Sequence, residues 1–537
     1  VLVLVLSPEC VNGFVSVSRL SSALAYSSEI DTAAQTLMTS GIDYKGDYKH
    51  LTQSGQADTD CYIAVGDVNG FDRKVFDSPA MCLDVQVLGI PTEPSPDGLP
   101  EAVVAAMAGQ QPILLSLDYK GEYSDLNLRD PVKLPFNHFP AKLTTDRNLG
   151  GVYVALHNTN GLGLAPASDE DPIDEFRNAL DYLKSMTRPE LLPGTGDYSP
   201  IIFKYDIVEQ KAKWQTTLTT VNGRSAVGAI KVVLSRGKLI VVGSSNGSGT
   251  GVGANTQSGG DWDGYLTIID LETGNMADKR NITTIINAPH SVSVFSQPGK
   301  DDFVYNVCTS DDKAFLVGSS QGKISGDEDG GGFVAKYDID TLDILWEYQF
   351  VGKGIEATYC DVFDDLLYVG GTVVAGTVLD DPNSISNGKP SDTSDLFVAR
   401  LSATTGELKW VRQIDSHRDD SMVGMVINLG NLVLITANGM STNKGTSDLY
   451  VISVTPFGAH DWQNLQAGVD PISGATNAIS IDVDNNGNNN EVEVADWVIP
   501  VAIGVPIAIL LLFICYYYKT REPSNTSLAP RESPNVV

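Results

Sequence analysis

Two patterns of apolar and polar positions recur along the chain. The first is written "GGFVAKYDIDTLDILWEYQF" at 331–350 and "DLFVARLSATTGELKWVRQI" at 395–414. In each, an apolar run passes through a polar turn into a second run that closes on Trp346 or Trp410. Short β-branched and aromatic runs bounded by turn residues predict two strands joined by a turn. Sliding this pattern along the sequence gives seven copies, anchored at Phe14, Ile113, Ile201, Tyr265, Phe333, Phe397 and Tyr450. The copies at Ile201 and Tyr450 end on Trp214 and Trp462. Those at Phe14 and Ile113 place Tyr there, and the copy at Tyr265 has no Trp. The second pattern lies upstream of most copies: an apolar run, a polar turn, and an apolar run closing on Gly. It is written "AIKVVLSRGKLIVVG", "VYNVCTSDDKAFLVG", "EATYCDVFDDLLYVG" and, less completely, "MVGMVINLGNLVLITA".

Together the patterns supply four short strands in roughly 55 to 70 residues, with turn residues between them. One such sheet cannot bury both faces alone; stacking it between neighbours around an axis does. The expected fold is therefore all-β: a seven-bladed β-propeller of four-stranded blades over 1–485. "ATNAISIDVD" at 475–484 resembles a first strand without a partner, and "VLVLVL" at 1–6 resembles a second strand, so the termini are expected to complete one blade together. The same N-terminal stretch, with "ALA" at 23–25, also reads as the end of a signal peptide; we take the strand reading. Two helices are predicted as insertions. Over 171–187, Asp171 caps, Pro172 takes the first helical position, and Ile173, Phe176, Leu180 and Leu183 form one apolar stripe. A shorter helix is expected at 99–109, "LPEAVVAAMAG".

"LSATTGELKW" and "DLFVARLSATTG" resemble the repeat of quinoprotein-type and SBBP-type β-propellers, over about 200–465 and more weakly over 1–150. The resemblance implies that a Trp from each outer strand docks on the adjacent blade. It says little about chemistry, because fold does not carry function. Quinone-cofactor dehydrogenases of this kind are larger, with eight blades and a vicinal Cys pair, and no Cys-Cys dipeptide occurs here.

"VIPVAIGVPIAILLLFICYYY" at 498–518 contains no charge and is long enough for a transmembrane helix, at about 1.5 Å per residue across roughly 30 Å. Trp497 and Tyr516–Tyr518 stand at its edges, acids precede it, and Lys519 and Arg521 follow. The expected topology is single-pass type I, in the plasma membrane or an endomembrane. The N-terminal part lies outside or in the lumen, 486–496 is an Asn-rich acidic linker, 497–518 spans the lipid, and 519–537 is a disordered cytosolic tail.

The chain has 537 residues, 42% of them apolar, and its 51 Gly suit a turn-rich β protein. A formal charge of -31 argues against a nucleic-acid partner, since phosphate is repelled. The six His are scattered without an HExxH pair, and no GxSxG elbow, P-loop Lys or strand-linked GxGxxG occurs. No catalytic residue and no organic cofactor is assigned. Calcium has two candidate sites. Asp327, Glu328 and Asp329 lie together in "SGDEDGGG", and Asp482, Asp484, Asn486 and Glu493 follow a calcium-loop spacing that reads equally as an Asn-rich linker. Connections between second and third strands are long and acidic. They are expected to bring Asp261, Asp263, Asp327, Asp329, Asp380, Asp381, Asp395 and Asp448 onto one face, although an Asp just before a strand also simply fixes a turn.

Of the Cys, Cys10 and Cys515 stand apart. Cys61 and Cys82 flank one loop and suit a local bridge. Cys308 and Cys360 each precede their blade's Gly (Gly318, Gly370) by the same spacing, so a bridge between them depends on whether equivalent strands approach within about 7 Å. Asn246 and Asn281 open glycosylation sequons. The leading function is non-catalytic: a cell-surface adhesion or receptor-like protein whose acidic loop face engages an extracellular protein or glycan. The alternative is a membrane-anchored quinoprotein-like oxidoreductase or a hydrolase.

Overall fold

The computed structural model describes residues 17–454 apart from 21–22, 32–35, 44–59, 68–69, 77–80, 89–99, 109–110, 119–126, 130, 135–137, 147–149, 159–198, 222, 247, 251–261, 277–290, 295–299, 323–329, 351, 353, 375–392, 415–418, 429–431 and 441–446. The first described strand, β1 (Val17–Leu20), stands apart from its neighbours in sequence. β2 (Ala23–Asp31), β3 (Thr36–Asp43), β4 (Asp60–Asp67) and β5 (Gly70–Phe76) then pair in that order as an antiparallel sheet. β6 (Met81–Val87), β7 (Ala102–Ala108) and β8 (Gln111–Asp118) follow, with the short β9 (Asn127–Leu128) and β10 (Val132–Lys133) both pairing with β8. The third sheet is β11 (His138–Thr145), β12 (Gly151–Asn158), β13 (Ile201–Asp206) and β14 (Lys211–Thr217).

β15 (Thr219–Val221) then precedes the next sheet. That sheet is β16 (Ser225–Val233) and β17 (Lys238–Ser245), then, after β18 (Ser248–Thr250), β19 (Asp263–Asp270) and β20 (Ser291–Val294); β15 and β18 pair as a separate ribbon. Two more meanders follow: β21 (Asp302–Ser310), β22 (Lys313–Ser320), β23 (Gly331–Asp338), β24 (Ile344–Gln349), and β25 (Ile355–Phe363), β26 (Leu366–Val373), β27 (Asp395–Ser402), β28 (Leu408–Ile414). The last sheet holds β29 (Asp420–Asn428), β30 (Leu432–Met440) and β31 (Ser447–Val454), and β1 supplies its fourth strand. Among the described residues six sheets thus have four strands and one has five, beside the two-stranded β15–β18 ribbon. The first strands pack in succession, β2 on β6, then β11, β16, β21, β25 and β29, and β29 packs on β2. Meander sheets arranged radially in this way are an all-β propeller.

Closure differs from the sequence expectation. β1 runs antiparallel to β31, from Val17 opposite Ile452 to Leu20 opposite Leu449. The stretch assigned to the Phe14 copy therefore divides into the outermost strand of the last sheet and the innermost strand of the first. The third strand of the first sheet is β4, and its aromatic anchor is Tyr62. The 99–109 segment is also corrected, because Ala102–Ala108 is the strand β7. Val103, Val104, Ala105 and Ala106 are fully buried between neighbouring sheets, where small and β-branched residues pack on both faces of a strand. Segments 1–6, 171–187 and 475–484 lie outside the described residues. No helix among the described residues is long and apolar enough to cross a membrane, and 498–518 lies outside them. Backbone contacts separate Val1–Val483 from Asp484–Val537.

The closing Gly of the second pattern lies opposite a β-bulge in the first strand. Gly318 pairs with Val304, where the register shifts, and with Phe333 on its other side. A Cβ on Gly318 would collide with the Phe303 carbonyl oxygen and lie 2.7 Å from the Phe333 ring. Gly41, Gly243 and Gly371 make the same room for Tyr62, Tyr265 and Phe397. The glycine and the aromatic anchor are thus one packing unit, split between the two sequence patterns.

The Trp residues lock adjacent sheets, as the resemblance implied. Trp346 Nε1 and Lys336 Nζ donate to the same carbonyl oxygen of Ala403, at 3.2 and 2.8 Å, in the third-to-fourth turn of the next sheet. Trp214 Nε1 and Lys204 Nζ do the same to Leu271 O, each at 3.0 Å. The indole lies over a Gly of that turn: Gly406 (φ 74) beneath Trp346 and Gly274 (φ 72) beneath Trp214. The equivalent left-handed position is Leu342 (φ 61) in the turn after β23, and it faces a sheet whose outer strand β20 carries no Trp. There Lys238 Nζ donates to the equivalent carbonyl, Ile339 O, at 3.2 Å, and pairs with Asp340 at 2.6 Å. Because Trp346 is half-buried, Trp346→Ala should cost about 2–3 kcal/mol, below the full core value. Lys336→Met should cost about 1 kcal/mol. Urea melts of both singles and the double should show coupling above about 0.5 kcal/mol, since the two donors share one acceptor; strict additivity would refute the shared lock.

Two disulfides also join neighbouring sheets: Cys61 on β4 to Cys82 on β6, and Cys308 on β21 to Cys360 on β25. Their Cα atoms are 5.1 and 5.7 Å apart.

Candidate functional site

All seven first strands carry a bulge: at Ala25/Ser27, Cys82/Asp84, Pro140/Lys142, Val227/Ala229, Val304/Asn306, Ala357/Tyr359 and Met422/Gly424. Residues beyond each bulge line a cavity of about 260 Å³ to which every first strand contributes. An innermost strand has no ladder partner on its axial edge, so its inward N–H groups need other acceptors. Carboxylates supply two of them. Asp84 accepts from Leu143 N at 2.6 Å and from Ser27 Oγ at 2.5 Å. Asp361 accepts from Ile427 N at 2.7 Å and from Val362 N at 2.9 Å. Each Asp therefore clips its own first strand to the next one around the axis.

Lys142 and Lys231, on β11 and β16, add positive charge to the same wall, and Glu29 on β2 adds a third carboxylate. Burial pushes the Asp361 carboxyl up to about 6, against the pull of the Ile427 and Val362 N–H groups and of Lys231; Glu29 adds to the rise. Burial likewise raises Asp84, opposed by Lys142, Ser27 and Leu143. The Tyr359 phenol is raised by burial and then by the charge of Asp84.

The sign of the pH effect follows. The ordinary value for Asp361 is 3.8 and its value in the fold is about 6. Between these the folded chain binds more protons than the unfolded chain, so stability falls as pH rises through this window and levels off above it. The scale is up to about 3 kcal/mol, from roughly 1.4 kcal/mol per unit. Asp361→Asn should flatten the part of this slope due to Asp361 in urea melts between about pH 4 and 7; an unchanged slope would refute the assignment. Asp338, held down to about 2 by Lys313 and by the Thr341 and Asp340 N–H groups, acts in the opposite sense and only below 3.8.

The two ends of the sheets differ. First-to-second turns such as 311–312 and 364–365, and third-to-fourth turns such as 339–343 and 403–407, are short. Asp206, Asp270 and Asp338 fix the latter kind by accepting backbone N–H groups two and three residues on. Several second-to-third connections at the other end are long: 159–200 between β12 and β13, 246–262 between β17 and β19, and 374–394 between β26 and β27. The second sheet departs from this, with two residues between β7 and β8 and a longer 88–101 between β6 and β7.

Of the acids expected on that end, Asp263 and Asp395 are 5% and 2% exposed at the start of their strands. Asp395 accepts from Gln413 Nε2 at 2.6 Å. They belong to the sheet rather than to a ligand face. The side chain of Asp448 and residues Asp261, Asp327, Glu328, Asp329, Asp380 and Asp381 lie outside the described residues, as do Asp482, Asp484, Asn486 and Glu493. Among the described residues no group of three His, Cys, Asp or Glu could hold a metal ion. Asn246 is half-buried and extends the β16–β17 pairing by one residue: its Oδ1 accepts from Arg224 N at 2.7 Å and its N–H donates to Arg224 O at 3.0 Å. Asn281 lies outside the described residues.

Sequence reading missed the axial wall. The pattern was present as polar residues set inside apolar first strands, in "CLDVQV", "AIKVVL" and "YCDVF". Without the bulge positions the strands could not be aligned, and the polar residues read as isolated.

No protein-family model and no curated protein matches the chain. Solved structures that it is similar to include the WD40 β-propeller domain of Doa1, at 10% identity and TM-score 0.37, covering 78% of this chain and 88% of that one. The β-propeller domain of Cps50 (Swd1) from Myceliophteria thermophila aligns at 10% identity and TM-score 0.40, over 82% of this chain and 100% of that one. Uncomplexed Pyrococcus horikoshii acylaminoacyl peptidase aligns at 10% and 0.40, over 83% of this chain and 53% of that one. The propeller assignment rests on the sheet topology.

Proposed function

We propose that this chain is a non-catalytic binding propeller. Its sheets act as the blades of a closed seven-bladed ring, and a partner engages the end from which the long acidic connections leave. The observation that carries this reading is the asymmetry of the two ends. Most turns at one end are tight and hydrogen-bonded, the 88–101 connection excepted, and the connections between β12 and β13 and between β26 and β27 lengthen the other. Binding residues favour such connections on rigid scaffolds, and a propeller is compatible with a binding or scaffold role. Segment 498–518 is read as a membrane span, which places the propeller on an extracellular or luminal side. Two disulfides between sheets fit an oxidising compartment of that kind.

The full chain, purified in detergent, tests this on an array of extracellular proteins and glycans. A discrete set of features should retain it. Replacing 375–392 with a short Gly-Ser segment should abolish that retention and leave the melting temperature unchanged. Retention by no feature, or equal retention of the shortened variant, would overturn the reading. Visible-range cofactor absorbance in the purified chain would favour the oxidoreductase instead.

A further inference from the structure

The axial cavity lies along the later halves of the first strands, nearest the tight turns and away from the long connections. It therefore raises a question separate from the partner face. Asp84 and Asp361 have each oxygen engaged by a backbone N–H or a hydroxyl. Lys142 and Lys231 feel these carboxylates through space. Among the described residues, neither ammonium makes a hydrogen bond or an ion pair at contact distance. Each ammonium carries three donors. Two such groups on adjacent strands of one polar cavity, with donors to spare, suit a shared oxyanion.

The remaining wall narrows the ligand. Glu29, Asp84 and Asp361 come from β2, β6 and β25, whereas the lysines come from β11 and β16, so the wall is bipolar. A simple anion meets the field of three carboxylates. A simple cation leaves the lysine donors unused. At about 260 Å³ the cavity falls below the roughly 300–1,000 Å³ of sites for drug-sized ligands, so a nucleotide or an oligosaccharide is too large.

We propose that the axial channel binds a small zwitterion of the free amino-acid class, its carboxylate bridging Lys142 and Lys231 and its ammonium facing Glu29. Asn306 on β21 lines the same cavity; its Oδ1 accepts from Val307 N at 2.8 Å, so its Nδ2 is the group it offers a carboxylate.

Isothermal titration of the full chain at neutral pH tests this, with glycine, L-alanine, L-glutamate and γ-aminobutyrate as probes and acetate and methylammonium as half-ligands. At least one zwitterion should bind saturably, and both half-ligands should bind tenfold more weakly or worse. Lys142→Met and Lys231→Met should each weaken binding at least tenfold, and Glu29→Gln should weaken the zwitterion without affecting acetate. Where a Met variant does not melt cooperatively, the Gln variant at the same position replaces it. Absence of saturable binding by every zwitterion overturns the proposal, as do lysine variants that bind like the parent. Acetate binding as tightly as the best zwitterion also overturns it, since the site would then be a plain anion site. Array retention through the long connections is unaffected by these variants, so the two readings fail independently.

Discussion

Gly318→Val is expected to prevent accumulation of folded protein. A side chain here meets the Phe303 carbonyl oxygen, which is backbone inside a ladder, and the Phe333 ring, which is fully buried. Ordinary overpacking costs about 1–3 kcal/mol because side chains can give way. Here neither obstacle can move without parting β21 from β22 or expelling the aromatic anchor, so more than about 4 kcal/mol is expected, a large share of the total for a domain. Gly237→Ala is the control. Its φ is also positive, at 61°, but nothing lies within 4 Å of the added carbon, so it should cost about 1 kcal/mol from backbone strain alone. Thermal melts and soluble yield of both variants decide the matter. A Gly318→Val protein that melts within a few degrees of the parent would mean that glycine and anchor are not one unit.

The second large effect is removal of the Cys308–Cys360 bridge. It closes a loop with a sequence separation of 52 residues, and Cys61–Cys82 one of 21. On the chain-entropy account these contribute about 4 and 3 kcal/mol respectively, as upper values. Cys308→Ala/Cys360→Ala should melt well below the parent and lose further stability under dithiothreitol as the second bridge opens. The parent under dithiothreitol should match a variant lacking all four Cys. If reductant leaves the parent's melting temperature unchanged, the bridges do not hold the sheets together.

Much of the architecture was legible in the two sequence patterns because each encodes a packing unit. The apolar anchors Ile113, Ile201, Tyr265, Phe333, Phe397 and Tyr450 all fall on third strands, and Trp214, Trp346 and Trp410 on fourth strands. The first sheet escaped because β4 carries its anchor, Tyr62, without a Trp downstream, and an apolar stretch near Phe14 took its place in the count. The strand β7 was misread because Ala-rich segments favour helix locally, and only burial on both faces makes small residues suit a strand there.

The Cys pair shows the limit of alignment by glycine. Gly371, not Gly370, corresponds to Gly318 opposite the bulge, so Cys360 sits one residue earlier in its strand than Cys308 does. That offset lets neighbouring first strands present the two Cα atoms within 5.7 Å. The axial residues were the least legible, because their common location depends on seven bulges that no single strand reveals.

The clasp between β1 and β31 carries a consequence for assembly. Four residue pairs, Val17 to Leu20 against Leu449 to Ile452, hold the last sheet's outer edge, whereas the other long-range contacts of that sheet involve strands of eight or nine residues. If the clasp peels away, β31 presents a row of open N–H and C=O groups, and β1 becomes a free arm joined to β2 by a short stretch of chain. The arm of a second molecule satisfies that edge as well as the chain's own arm does. Concentrated protein held near its unfolding transition should therefore exchange arms and form domain-swapped chains, head to tail, before it aggregates by other routes.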